Sequence, residues 1–295
     1  MKRLVVNADD FGLTSGVNRA IVACHERGIV TSTTLMATGA AFDEAVSLAA
    51  SLPQLSVGCH VVLVDGDPLL PAGDVRSLLA PGTNRFYNTI GEILQAVVRG
   101  CFRAEEVEAE AAAQMARLRA AGVRISHFDA HKHTHMFPSI LRPILRAAVA
   151  QGVHAVRNPF EPVGSMKAGT VLASRKLLVR WAEVVMLRTM RTRFVRLVRE
   201  SGLQTTDGSL GVAVTGELDA GVLAEMLSRM EDGCWELVCH PGYNDDDLAR
   251  VRTRLRESRA VEMQALMDAR LRTIAHRHGV EFISYAELNA AQTVC

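Results

Sequence analysis

The chain alternates short apolar segments with helical patterns along most of its length, and this alternation constrains the fold more than any other feature. Segments rich in apolar and β-branched residues lie at 3–8, 29–36, 56–63, 123–130, 235–240 and 280–284. Helical patterns, with apolar residues three or four positions apart, lie between them. Strands that are apolar on both faces and separated by helices are typical of a parallel sheet. The alternation therefore predicts an α/β fold, an irregular (β/α) barrel with parallel strands.

The chain shows no internal repeat and no clear linker, so we expect a single domain over residues 1–295. Two segments depart from the alternation. Residues 64–85 are rich in proline and glycine, which predicts a long loop, and long loops in compact domains often contact substrate. Residues 170–200 form a basic and apolar helical insertion. This insertion is either a barrel helix with a solvated basic face or an amphipathic helix that rests on an anionic membrane surface.

The composition excludes some classes of function. The chain has 33 basic and 32 acidic residues, and its formal net charge of +1 gives no general attraction to nucleic acid. The six cysteines form no CxxC pair, so we interpret them as reduced thiols of a cytoplasmic protein. No apolar run reaches the roughly 18 residues that a membrane span needs. The N-terminus also lacks the layout of a signal peptide.

Aspartate and histidine residues collect at the ends of the predicted strands. Asp9 and Asp10 end the first strand in "VVNADDFGLT". His60 lies in "SVGCHVVL", and His240 ends "WELVCH". The stretch "HFDAHKHTHMFP" adds five such residues at alternate positions: His127, Asp129, His131, His133 and His135. Because the C-terminal ends of parallel strands share one edge of a barrel, where active sites form, we expect these side chains to meet.

Each of these features also has an explanation that involves no function. The aspartates could cap the next helix, His60 could pack in the core, the histidine run could be a surface accident, and His240 could belong to a turn. Together on one edge, two imidazoles and one carboxylate instead suit a divalent cation, such as zinc, nickel, cobalt, manganese or magnesium. Such a site predicts metal-assisted hydrolysis of an amide or ester. Spacing alone does not choose among His131, His133 and His135, or between the aspartates.

Five motifs, in order along the chain, resemble the YdjC-like carbohydrate deacetylases, the family of chitooligosaccharide deacetylase. They are "NADDFGLTSGVNRAI", "GIVTSTTLM", "VGCHVVL", "HFDAHKHTHMFP" and "ELVCHPGY". The resemblance extends to about residue 285. It implies an irregular (β/α) barrel and a hydrolase that uses one divalent metal ion to remove acetyl from an N-acetylated sugar.

The resemblance also implies a role for each matching residue. Asp10, His60 and His131 would be the metal ligands. Asp9 would be the catalytic base, and His240 the acid that protonates the departing amine. Residues 170–200 look similar to the hopanoid-biosynthesis-associated branch of the family. That similarity implies a glycolipid substrate, an acetylglucosaminyl hopanoid. The basic amphipathic pattern of the same residues would allow peripheral contact with the inner face of the membrane.

Further expectations concern single residues and other functions. Arg157 could orient substrate hydroxyls, hold Asp9 ionised, or form a structural salt bridge. His135 and Tyr243, the latter after "CHPG", could contact the sugar, and the protein could form a homodimer. One alternative function is a metal-dependent phosphoesterase, which usually binds two metals. Another is a non-catalytic sugar-binding module, although binding alone does not need the adjacent pair of aspartates.

Overall fold

The computed structural model describes residues 1–166, 169 and 175–290. Within this part of the chain nine strands join one sheet, and all pairings between them are parallel. The strands are β1 (Lys2–Phe11), β2 (Ser32–Leu35), β3 (Ser56–Val61), β4 (Phe128–Ala130), β5 (Ala155–Val156), β6 (Gln204–Thr205), β7 (Gly208–Leu210), β8 (Gly233–Cys239) and β9 (Val280–Ile283). Their order across the sheet is β6-β5-β4-β3-β2-β1-β8-β7, and β9 also pairs with β1.

The segment that follows β5 joins the two ends of the sheet. The side-chain amide of Asn158 donates to the carbonyl of Thr206 at 3.0 Å, and the Ser209 hydroxyl donates to the carbonyl of Asn158 at 2.7 Å. The backbone N–H of Ser209 also donates to the carbonyl of Phe160 at 3.3 Å. These contacts hold β7 beside the end of β5. The sheet is therefore nearly closed, and the predicted irregular (β/α) barrel with parallel strands is confirmed.

Twelve α-helices connect the strands in the described residues, and most of their buried apolar side chains pack with those of the strands in one large core cluster. Tyr285 and Leu288 of the last helix pack in a second, smaller cluster. The helices are α1 (Ser15–Arg27), α2 (Phe42–Ser51), α3 (Ile90–Val98), α4 (Ala104–Ala120), α5 (Pro138–Ala150), α6 (Arg175–Leu187), α7 (Arg191–Glu200), α8 (Ala220–Arg229), α9 (Asp246–Arg250), α10 (Glu257–Leu266), α11 (Arg270–Arg277) and α12 (Tyr285–Ala290). Short sequence signals set some of their starts. Thr14 caps α1 by accepting from the Val17 N–H, and Pro138 occupies the first turn of α5.

A long helical pattern over residues 247–278 predicts one helix, but this segment forms three helices, α9, α10 and α11. Arg256, with φ −118° and ψ −85°, lies outside the helical region and separates α9 from α10. The Asp268 carboxylate accepts from the Arg270 N–H at 2.9 Å, which satisfies a free donor at the start of α11. The residues between α9 and α10 enter the cavity described below.

The two segments that departed from the alternation are held against the barrel. In 64–85, buried Glu110 of α4 accepts from the backbone N–H groups of Leu69 and Leu70 at 2.8 and 3.0 Å. Within 170–200, residues 170–174 lie outside the described residues, and α6 and α7 account for most of the remainder. Three of its arginines donate to barrel-loop carbonyls: Arg180 to Thr215 at 2.5 Å, Arg188 to Glu161 at 2.8 Å and Arg191 to Asp207 at 3.0 Å. Part of the basic face is therefore used to dock the helices.

Two observations concern the environment of the protein. No helix in the described ranges has the length and apolar character needed to cross a membrane. The cysteines at 24, 59, 101, 234 and 239 are all free thiols. The reduced state of the cysteines and the cytoplasmic location remain predictions.

Candidate metal centre and active site

A cavity of about 820 Å³ opens at the C-terminal edge of the barrel. Asp9 and Asp10 of β1, His131 after β4 and His240 after β8 contribute to its walls. His60, in β3, is buried directly beneath this edge. The strand ends therefore bring together these five of the nine aspartates and histidines that were expected at one edge of a parallel sheet.

Three of these residues form a compact triangle of potential ligand atoms. Oδ1 of Asp10 lies 3.4 Å from Nε2 of His60 and 3.4 Å from Nδ1 of His131, and the two nitrogens are 3.1 Å apart. Asp10 has φ 68°, a left-handed conformation that is uncommon for a residue with a side chain. Its Oδ1 is buried and has no hydrogen-bond partner among the described residues.

This triangle fits a divalent cation. Ligand atoms that each lie about 2.1 Å from one ion are about 3.0–3.4 Å apart, depending on whether the geometry is octahedral or tetrahedral. The three measured separations lie in that range. A buried carboxylate oxygen without a donor is also a group that a cation would satisfy. Two imidazoles and one carboxylate are the ligand types that zinc and neighbouring transition metals prefer.

Asp129 orients one of the imidazoles. Its Oδ1 lies 2.6 Å from Nδ1 of His60, and its Oδ2 accepts from the Thr34 hydroxyl at 3.2 Å. A carboxylate behind a histidine fixes the ring and leaves the other nitrogen to face the metal. Burial disfavours the charged imidazole, but Asp129 and the neighbouring aspartates outweigh burial and raise the pKa of His60 to about 9. Asp129 belongs to the alternating run in the sequence, but its position there indicated no role for it.

Asp9 is held by a buried arginine. Nη1 and Nη2 of Arg157 lie 2.7 and 2.6 Å from the two carboxylate oxygens of Asp9, and the side-chain amide of Asn7 donates to Oδ1 at 2.9 Å. Burial alone would raise the pKa of Asp9, but the charge of Arg157 outweighs it and holds the pKa below its usual value. Asp9 is therefore ionised near neutral pH.

Arg157 also pairs with the carboxylates of Asp129 and Glu236. Its Nη1 lies 2.5 Å from Oδ2 of Asp129, and its Nε donates to Oε1 of Glu236 at 2.8 Å. The Tyr285 hydroxyl donates to the other oxygen of Glu236 at 2.5 Å. Because Arg157 is completely buried, it presents no surface to a substrate. Of the three roles considered for it, the geometry favours the pairing with Asp9.

A second group of potential metal ligands consists of Asp9, His60 and Asp129. The negative charge of its carboxylates is already balanced by a positively charged side chain of the protein. These residues also have ligand atoms within 4.8 Å of one another. However, Arg157 contacts both oxygens of Asp9 and one oxygen of Asp129. A guanidinium already supplies positive charge to these carboxylates. The arrangement thus favours one cation, at Asp10, His60 and His131, over a two-metal site.

His240 lies on the other side of Asp9. Its Nε2 is 3.8 Å from Oδ2 of Asp9, and its backbone N–H donates to Oε2 of Glu262 at 2.6 Å. Burial outweighs the neighbouring carboxylates and lowers the pKa of His240 to about 4. The imidazole is therefore neutral at rest, next to the carboxylate that would receive a proton.

The other predicted contact residues lie outside the triangle. After β4 the chain turns into a short 3₁₀ helix (His131–Met136), in which Lys132 and His133 have φ near 50°. This turn breaks the alternation, so that His133 borders the cavity while His135 is fully buried, with Nε2 3.2 Å from the carbonyl of Arg157. Tyr243 is at the surface, under the guanidinium of Arg19. The structure brings neither His135 nor Tyr243 into the cavity lining, and their sugar contacts stay predictions.

Comparison with known proteins shows the family to which the chain belongs. The sequence profile of the YdjC-like protein family matches residues 3–277. The chain belongs to this family. It is 31% identical over 287 residues to a carbohydrate deacetylase of Brevibacillus brevis, covering 97% of this chain and 99% of that protein. It is also 31% identical over 284 residues to a carbohydrate deacetylase of Geobacillus stearothermophilus, covering 96% of each.

A solved structure of similar fold comes from Enterococcus faecalis V583 and is described as a putative cellobiose-phosphate cleavage protein. It superimposes on this YdjC-like chain with a TM-score of 0.74 at 27% identity, covering 97% of this chain and 98% of that one. The barrel and its connections are therefore shared over nearly the whole length of both chains.

Two site residues of this YdjC-like protein were missed by the sequence analysis. Arg259 and Glu262 both lie on α10, and both are buried. Nη2 of Arg259 donates to Oδ2 of Asp10 at 2.5 Å, and Glu262 accepts from the backbone N–H groups of His240 and Gly216. Neither residue follows a strand, so the strand-end pattern could not find them. The feature by which they could have been recognised is that two charged residues lie on the buried side of one helix.

Proposed function

We propose that this protein is a metal-dependent deacetylase that removes the acetyl group from an N-acetylated sugar and releases acetate. The observation that carries the proposal is the triangle of Asp10, His60 and His131 around the unpartnered Oδ1 of Asp10. Two relatives of nearly full coverage are named carbohydrate deacetylases. The sequence resemblance implies the metal-ligand role for the same three residues.

In this proposal each side chain has a definite task. Asp10, His60 and His131 hold the cation, which when bound supplies a Lewis acid that polarises the acetyl carbonyl and acidifies water. Asp9, kept ionised by Arg157, accepts a proton from the attacking water. His240 donates a proton to the departing nitrogen. Its Nε2 lies 3.8 Å from Asp9, so a small movement would let it receive the proton that Asp9 has taken up.

The test compares acetate release by metal-free and reconstituted enzyme on N-acetylglucosamine oligomers and glycolipids. Asp9→Asn should lower acetate release by a factor of about 10²–10⁴, the usual contribution of a general base, while the bound cation stays near one per chain. Asp10→Asn is the matched variant and should lose the cation as well. Acetate release by Asp9→Asn at the wild-type rate would contradict the assignment of the base.

The same measurements separate the alternatives. A phosphoesterase would release phosphate from phosphomonoesters and would bind two cations per chain. The Arg157 guanidinium between Asp9 and Asp129 speaks against the second cation. A sugar-binding module would retain sugar and release no acetate with any cation.

For the substrate we propose a glycolipid, such as an acetylglucosaminyl hopanoid, with the enzyme touching the membrane surface through α6. One side of this helix lines the cavity with Val184 and Leu187. Its other side exposes apolar residues to solvent: Leu178, Val179, Val185 and Met186. An amphipathic helix beside the site could thus meet a lipid while the sugar enters the cavity.

Liposome flotation tests this contact. We expect wild type to float with anionic vesicles and Met186→Glu to float less, because the charge opposes insertion of the apolar face. Val149→Glu is the control, since Val149 is similarly exposed but belongs to α5. Equal flotation of Met186→Glu and wild type, or no flotation of either, would remove the membrane contact and leave the deacetylase proposal untouched. The homodimer stays a prediction.

A further inference from the structure

We propose that Arg259 is a positioning residue for the metal ligand Asp10. In this role it restricts Asp10 to one coordinating oxygen and partly offsets its negative charge. A cation bound there is consequently held less tightly and polarises the substrate more strongly. The inference rests on the proposed function above, because it assumes a cation at Asp10, His60 and His131.

The contacts of Arg259 leave Asp10 one free oxygen. Arg259 lies in the first turn of α10 and is only 1% exposed. Its Nη2 donates to Oδ2 of Asp10 at 2.5 Å, and its Nε donates to the carbonyl of Leu255 at 3.2 Å. In the described part of the chain, Asp10 is the one carboxylate within ion-pair distance of Arg259. The oxygen that remains, Oδ1, is the one that faces His60 and His131.

The backbone and the guanidinium act on the same side chain. The left-handed backbone of Asp10, with φ 68°, sets the direction in which its carboxylate leaves β1. The contact with Arg259 then decides which oxygen faces the imidazoles. Carboxylates bind cations through one or two oxygens, so an Asp10 without Arg259 would be free to offer both.

Gly242 keeps space for this arginine. A Cβ at residue 242 would lie 2.9 Å from Cδ of Arg259 and 3.2 Å from Cγ2 of Val17. The backbone N–H of Gly242 also donates to the carbonyl of Arg259 at 3.2 Å, which fixes the two segments together. The glycine of the motif "HPG" therefore leaves room for Arg259, and it affects Asp10 only through this arginine.

The charge of Arg259 has a definite effect on a cation. A buried guanidinium repels a divalent ion nearby, and it withdraws negative charge from the carboxylate that binds the ion. Groups behind a metal ligand commonly tune the metal in this way. A ligand that donates less charge leaves the cation a stronger Lewis acid. Arg259 thus weakens binding but favours polarisation of the acetyl carbonyl.

The experiment compares Arg259→Gln, which removes the charge, with Arg259→Lys, which keeps it. Cobalt(II) is the probe, because equilibrium dialysis gives its Kd and its visible absorption reports coordination number. For Arg259→Gln we expect a Kd about tenfold lower than wild type, weaker absorption from a higher coordination number, and acetate release reduced by about 10–100-fold. Arg259→Lys should keep the wild-type Kd and recover part of the acetate release. Arg146→Gln, at an exposed ion pair, is the control for a surface arginine.

The outcomes separate the two proposals. If wild type binds one Co²⁺ and folded Arg259→Gln shows the same Kd and spectrum, the role of Arg259 is refuted while the deacetylase proposal stands. If wild type binds no Co²⁺, the proposed function itself fails. Should Arg259→Gln not fold, Gly242→Ala decides, because its Cβ displaces Arg259. A lower Kd for Gly242→Ala supports the inference, and an unchanged Kd overturns it.

Discussion

Replacement of Arg157 by methionine tests the charge cluster under the active site. Arg157 has ion contacts of 2.5–2.7 Å with Asp9, Asp129 and Glu236, and all four side chains are at most 3% exposed. Methionine has a similar length and fits an apolar space, but it supplies no charge and no donor. The variant therefore leaves three buried carboxylates packed together without the guanidinium that they share.

The size of the loss in the free energy of unfolding depends on whether these carboxylates can take up protons. Removing one partner of a buried ion pair costs about 3–5 kcal/mol. The carboxylates can escape by taking up protons, and protonating a group with pKa near 4 costs about 4.8 kcal/mol at pH 7.5 but only about 2 kcal/mol at pH 5.5. We therefore expect the loss in the free energy of unfolding to be about 3–5 kcal/mol at pH 7.5 and smaller by about 2–3 kcal/mol at pH 5.5.

The stability of the Arg157→Met variant should change with pH in the direction opposite to the contribution of Asp9 in wild type. In wild type the pKa of Asp9 is held low, so its contribution is present above the unfolded pKa and is lost only as the pH falls through the folded pKa. Without Arg157 we expect burial to raise the pKa values of these carboxylates in the folded state. Their protonated forms are compatible with burial, and the stability of the variant therefore falls as the pH rises.

The assay is urea unfolding of metal-free protein at pH 5.5 and 7.5. Arg146→Met is the matched control, because the Arg146–Glu108 pair is half-exposed and should contribute at most about 1 kcal/mol. Equal slopes with urea would show that the same surface is exposed on unfolding. A loss for Arg157→Met no greater than that of Arg146→Met, or a loss that grows as the pH falls, would show that Arg157 does not stabilise the fold as the buried countercharge of these carboxylates.

Two further predictions concern neighbouring positions. Asp129→Asn should weaken Co²⁺ binding by about 10–100-fold in equilibrium dialysis, because the amide orients His60 less firmly than the carboxylate does; an unchanged Kd would mean that Asp129 does not act through His60. Gly58→Ala should lower the free energy of unfolding by about 1–3 kcal/mol, because its Cβ would lie 2.5 Å from the buried ring of His127. Gly73→Ala is the control, since its Cβ would meet no atom within 4 Å, and equal stability of both variants would contradict the steric argument.

The site was predictable to the extent that it follows strand ends. Asp9, Asp10 and His60 lie on or at the end of parallel strands, and parallel strands deliver their C-terminal ends to one edge regardless of the intervening loops. The choice of His131 from the histidine run came from family resemblance. Physically, the choice depends on the left-handed residues Lys132 and His133, which turn the run away from strand geometry. A period-two pattern in the sequence carries no sign of that turn.

Two of the buried ion pairs could not be read from the chain. Arg157 pairs with Glu236, 79 positions away, and Arg259 with Asp10, 249 positions away. A charged residue on a helix or strand is normally solvated, so its sequence context favours an exposed position. Only the packing of α10 against the barrel edge removes Arg259 from water and makes Asp10 its partner.

The parallel barrel, and the edge on which its acids and imidazoles collect, could be predicted from the amino-acid sequence. Both follow from local periodicity, which involves residues close together in the sequence and can therefore be recognised without the structure. The tertiary structure decided which oxygen of Asp10 faces the imidazoles, which charges hold Asp9 and His60, and how α6 borders the cavity. These features depend on distances between segments far apart in sequence, and such distances are set only when the whole core has packed.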